Sequence, residues 1–262
     1  MQPGVTATHS TRRRLWIAAM VSLALAYSSV SGDILRPALR QLDASELAET
    51  FPYLVSALIS VIDILLMLGL VAAVARLSPW RLLASSGFAA PIRGPLAWSV
   101  AWFLPALLAC IALATPAADI AAADLLWLSI GAPLSEELLY RGLAVGVLVR
   151  LCGWHWAAAC VWPAMFFGIV HAGQGADLMS IAGIVTLTAL GGLLFGWLYV
   201  RWTFNLWAPV LLHVGMNGLW LLFALGENAL GGVAGNLVRL GIVLLAVVAT
   251  LRMTRERAEP AG

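Results

Sequence analysis

The sequence predicts an all-α membrane helix bundle, polytopic, with about eight transmembrane helices. Three observations predict it. The 262 residues are 62% hydrophobic and only 11% charged, with mean hydropathy +0.94, whereas a soluble domain carries about 25% charged residues. Apolar stretches of about 20 residues, the length of a span, recur along the whole chain. Finally, arginine alternates between successive connections.

The candidate spans are roughly 15–32, 52–75, 95–116, 125–150, 156–172, 180–200, 205–226 and 236–251. Arg12–Arg14 precede the first. The 15–32 stretch has the flanks of a signal peptide, but its length and the spans behind it favour a retained anchor. Residues 33–51 carry Asp33, Asp43, Glu46 and Glu49 at helix-compatible spacing and suit the interface. Arg76, Arg81 and Arg93 surround the connection after the second span, Arg150 follows the fourth, Arg201 the sixth, and Arg252, Arg255 and Arg257 the eighth. All fall on one side if both termini are cytoplasmic, as the positive-inside rule expects. Arg36 and Arg40 are exceptions. The expected organisation is therefore a cytoplasmic tail 1–14, a single transmembrane domain 15–251 and a cytoplasmic tail 252–262, in a multi-pass integral protein of a bacterial cell membrane.

Net charge is +2, too small to suggest a nucleic-acid partner; the expected partners are membrane lipids and a peptide or protein substrate presented at the membrane. Cys110, Cys152 and Cys160 have no metal-ligand spacing and read as small hydrophobes.

Against this apolar background the deep polar residues are few. Glu136, Glu137 and Arg141 lie inside LLWLSIGAPLSEELLYRGLAVGVLVRL. Each ionisable group at mid-bilayer costs about 2.5–3.5 kcal/mol on insertion scales, so such groups mark bundle interiors or wet cavities. Glu137 and Arg141 are four apart and can pair; Glu136 is left without a partner in its own helix. Gly131 and Pro133 predict a helix break, with Ser135 capping a new helix whose first turn holds both glutamates. His171, with Phe167 one turn before it, ends one span. His213 and Asn217 share a face of another. Asp63 reads as structural, pairing with Arg239 or donating while protonated, and Gly192 and Gly196 form a small-residue packing pair.

A glutamate, two histidines and an asparagine suit amide hydrolysis by either of two mechanisms. Glu136, His171 and His213 could ligate one divalent metal, zinc first, with a position open for water. Without a metal, Glu136 would draw a proton from a water that His171 positions, while His213 and Asn217 donate to the oxyanion. There is no HExxH and no GxSxG. The alternative class is a non-enzymatic immunity or scaffold protein, or a small proton-coupled transporter using Glu136.

The three motifs Glu136-Glu137-Leu-Leu-Tyr-Arg141, Phe167-Gly-Ile-Val-His171 and His213-Val-Gly-Met-Asn217 resemble, in order, the E-E-x-x-x-R, F-x-x-x-H and H-x-x-x-N motifs of the CPBP family. That family comprises the CAAX proteases and bacteriocin-processing enzymes, also called the Abi family. The resemblance covers about residues 125–220. It implies an intramembrane endopeptidase in which Glu136 activates water, His171 assists, His213 and Asn217 stabilise the oxyanion, and Glu137, Arg141 and Phe167 support them. It leaves open whether the enzyme is a metalloprotease or of the glutamate type.

Overall fold

The computed structural model describes residues 9–43 and 45–256; Arg257 and the segments 1–8 and 257–262 of the predicted tails lie outside them. The described residues form helices and no strand. Five helices are long and apolar enough to cross a membrane: Leu54–Ala75, Arg93–Leu113, Trp156–Gln174, Leu178–Arg201 and Val233–Thr254. A sixth results if Thr11–Ser28 and Ser31–Ala38, bent by 55°, count as one span. The stretches read at 125–150 and 205–226 are helical as well. Trp207–Leu222 has only 16 residues, short of the usual spanning length.

The predicted break at Gly131 and Pro133 is absent. Five helical segments abut without a turn: Ala122–Asp124, Leu125–Gly131, Ala132–Glu136, Glu137–Val145 and Gly146–Arg150. Gly131 is right-handed helical, at φ −65° and ψ −51°. The Leu125–Gly131 and Glu137–Val145 segments are π-helical. The wider π turn absorbs the N–H that Pro133 lacks by shifting the hydrogen-bond register, so the chain need not break and expose backbone groups to hydrocarbon. Ser135 consequently caps nothing. Its hydroxyl donates back to the Ala132 carbonyl at 2.9 Å, and both glutamates sit inside the rod, away from any helix N-terminus.

Close packing of the Trp156–Val170 and Leu178–Arg201 helices rests on small residues. A Cβ at Gly192 would stand 3.1 Å from that of Ala164, and one at Gly196 would stand 3.0 Å from the Cys160 sulfur. Asp177 starts the second of these helices, accepting from the Met179 and Ser180 backbone N–H groups, each at 2.9 Å. The Ser180 bond in particular holds its exposed carboxyl below the usual carboxylate range.

The connections segregate by end. At one end Arg150 donates to the Ser85 carbonyl, Asn205 to that of Pro91 at 2.9 Å, and Trp202 to the Thr250 hydroxyl at 3.1 Å. This end gathers most of the arginines. At the other, the Ala117 N–H reaches the Leu222 carbonyl at 2.8 Å, and Tyr53 donates to Asp124 at 2.7 Å. Asp63 does not meet Arg239. Its carboxylate accepts from Ser31 at 2.9 Å, whereas Arg239 binds Asn236 and the Ala229 carbonyl. Counting unpaired charges suggested the pair; the packing of the first helices against Leu54–Ala75 gives Asp63 a nearer donor.

Candidate active site

The rod presents Glu137 and Arg141 inward at the i, i+4 spacing, and Arg141 Nη1 donates to Glu137 Oε1 at 3.0 Å. Both are essentially solvent-free. Aromatic rings close around the guanidinium, with its carbon 4.4 Å from the Phe167 centroid and 5.1 Å from that of Phe195. This cation–π enclosure makes a low-polarity socket for the ion pair.

Glu137 does more than pair with Arg141. The same oxygen, Oε1, lies 2.9 Å from His213 Nδ1. A carboxylate only accepts, so Nδ1 carries the proton. The other ring nitrogen, Nε2, faces Glu136 Oε2 at 3.8 Å. His213 is also stacked on Phe195, centroids 4.8 Å apart. Carboxylate and aromatic face together leave the imidazole little freedom.

Glu136 is the more open carboxylate, its side chain 29% exposed against 0% for Glu137. It lines a cavity of about 450 Å³ shared with Phe167, His171, His213 and Asn217. His171 ends the Trp156–Val170 helix, and its Nδ1 lies 2.7 Å from the Phe167 carbonyl. That acceptor fixes Nδ1 as donor and leaves Nε2 as the lone-pair nitrogen of the neutral ring. The Phe167 ring lies 4.7 Å from that of His171 and 6.2 Å from that of His213, centroid to centroid. Asn217 Nδ2 donates to the Leu128 carbonyl at 2.9 Å, which commits one of its two N–H groups to the π-helical turn.

The seven residues singled out in the sequence thus surround one cavity or the ion pair beneath it. Among the described residues no three His, Cys, Asp or Glu side chains converge as a metal-ligand set. Three contributors went unread in the sequence. Phe195 and the Leu128 carbonyl carried no signal of their own, since an aromatic and a backbone oxygen in a span are unremarkable. Arg239, which also lines the cavity, was visible as a deep charge but assigned to Asp63.

Residues 118–219 match the family model described as type II CAAX prenyl endopeptidase Rce1-like. This segment is similar to the Rce1-like family. The Rce1-like segment contains every residue of the ion pair and of the Glu136, His171, His213 and Asn217 constellation. That similarity, with several apolar helices, supports a multi-pass membrane protein and points toward an intramembrane CAAX-type protease. No curated protein and no solved structure matches the chain.

Proposed function

We propose that the chain is an intramembrane endopeptidase that hydrolyses a peptide bond with a water activated by Glu136. The observation that carries this reading is the division of labour between adjacent carboxylates. Glu137 is engaged through Oε1 by both Arg141 and His213 and is closed off from solvent, whereas Glu136 has no hydrogen-bond partner among the described residues and opens into the cavity beside two imidazoles.

Glu136 takes the proton of a water in the cavity as that water attacks the scissile carbonyl. His171, with Nδ1 held by the Phe167 carbonyl, offers Nε2 to orient the water. The developing oxyanion needs donors. His213 donates from Nε2 when both ring nitrogens are protonated, and the Glu137 carboxylate on Nδ1 is the counter-charge that state requires. Asn217 contributes the N–H that Leu128 does not use. Preorganised donors in a water-poor site supply much of the rate of acyl transfer, and Glu136 then returns its proton to the leaving amine. Each step uses a side chain of this chain alone.

The substrate is a peptide or protein presented within the bilayer. Lipid contact, cytoplasmic termini and a bacterial cell membrane belong to the same proposal, supported by the apolar composition, the arginine distribution and the short connections. The test is cleavage of a membrane-peptide library by purified protein in lipid. The wild type yields new termini and Glu136→Gln yields none, with equal melting temperatures. Equal cleavage by both proteins refutes the role of Glu136.

A further inference from the structure

We propose that Arg239 is the docking point for a carboxylate of the peptide substrate; this deepens the protease reading and rests on it. Arg239 lies outside the matched 118–219 segment, on the last long helix, yet it lines the same cavity as Glu136, His171 and His213. Its guanidinium lies over the Trp220 ring, 4.3 Å from the centroid. Nη1 donates to Asn236 Oδ1 at 2.9 Å and Nη2 to the Ala229 carbonyl at 2.7 Å.

Both acceptors are neutral. A guanidinium carries more N–H donors than these two acceptors use, and Arg239 pairs with no carboxylate among the described residues. Arg141 differs in that its Nη1 is paired with a carboxylate, Glu137. A half-buried cation, held in orientation and in an ion pair with neither Glu136 nor Glu227, the carboxylates that line the same cavity, keeps donors for an anionic visitor. The fork geometry of arginine suits a carboxylate, which it can grip through two parallel bonds.

The remaining wall decides what brings that carboxylate. Leu187, Met216 and Leu221 give the cavity an apolar wall beside the polar Gln174, Thr188, Glu227 and Asn228, and that wall accommodates a largely apolar chain carrying the anion. An apolar peptide meets this requirement with its free C-terminal carboxylate or with one acidic side chain. Held at Arg239, it lays its backbone toward Glu136 and fixes which bond reaches the water.

The experiment uses the full chain in neutral-lipid nanodiscs and one short apolar peptide in three forms: free C-terminal acid, C-terminal amide, and amide with one glutamate near its end. The wild type favours the acid over the amide by about tenfold in KM, with kcat little changed. Arg239→Gln loses that preference while its rate on the amide stays at the wild-type value, and Arg239→Lys keeps part of it. Recovery of affinity by the glutamate-bearing amide assigns the site to a side-chain carboxylate; no recovery assigns it to the chain terminus.

Equal handling of acid and amide by the wild type overturns the proposal, as does an equal loss on both with Arg239→Gln. Binding of the same peptides to Glu136→Gln protein, followed by fluorescence anisotropy, separates this proposal from catalysis. An Arg239-dependent preference for the acid there, with no cleavage by the wild type, upholds the carboxylate site and refutes the protease reading. Equal binding of acid and amide removes the carboxylate site whatever the cleavage result.

Discussion

Glu137 Oε1 binds His213 Nδ1 at 2.9 Å while it also accepts from Arg141 at 3.0 Å. One buried oxygen therefore joins the rod to the Trp207–Leu222 helix and sets which imidazole nitrogen faces Glu136. Removing this carboxylate destabilises the fold. Glu137→Ala strands a solvent-free guanidinium, and breaking one side of a buried pair costs about 3–5 kcal/mol. We expect a clear drop in thermal unfolding temperature in detergent or nanodiscs. An unchanged melt shows that Glu137 is not the anchor of Arg141.

Glu136→Gln has the opposite profile. The side chain is partly exposed and lies 3.8 Å from His213 Nε2, beyond hydrogen-bond distance, so stability stays within about 0.5 kcal/mol. Activity falls at least about 100-fold, the lower range for loss of a general base. A melt as poor as that of Glu137→Ala places Glu136 in the scaffold instead.

The Trp156–Val170 helix carries Phe167 and His171, and its depth against Leu178–Arg201 depends on Gly168. A Cβ there would stand 2.6 Å from the Val185 carbonyl oxygen and 3.0 Å from Ala189 Cβ. Backbone cannot rotate aside, so Gly168→Ala separates the helices, at about 1–3 kcal/mol, and displaces His171. Both melting temperature and cleavage decline. Gly69→Ala, in a helix where an added Cβ meets nothing within 4 Å, is the matched control and leaves both unchanged.

How much of this was legible in the sequence follows from how far helical spacing reaches. Glu137 with Arg141 and Phe167 with His171 lie one turn apart, so their contacts were readable from numbering alone. The bond between Asn217 and the Leu128 carbonyl and the stack of Phe195 on His213 depend on the axial register of separate helices, which no short spacing encodes. The break placed at Pro133 failed because proline signals a lost hydrogen bond, and a π turn can absorb that loss as readily as a kink. The Asp63–Arg239 pairing matched charges without knowing that Ser31 already faced Asp63.

The segregation of arginines also predicts which face the site opens to. His171, Gln174, Asn228 and Ala229 border the cavity at the end away from Arg150, so by the positive-inside rule the mouth faces outward. The three native cysteines are buried, which makes labelling of an added one specific. Gly173→Cys in intact cells should react with a membrane-impermeant maleimide. Protection in cells with full reaction after lysis reverses the orientation.

The central claim is that Glu136 activates the water while Glu137 builds the site around it. Its most direct measurement is cleavage of one library peptide by wild type and Glu136→Gln protein under identical lipid conditions, with product termini read by mass spectrometry. The account predicts a single new amine and carboxyl terminus from the wild type and none from a fully folded Glu136→Gln. Cleavage at the same bond and rate by folded Glu136→Gln would contradict it.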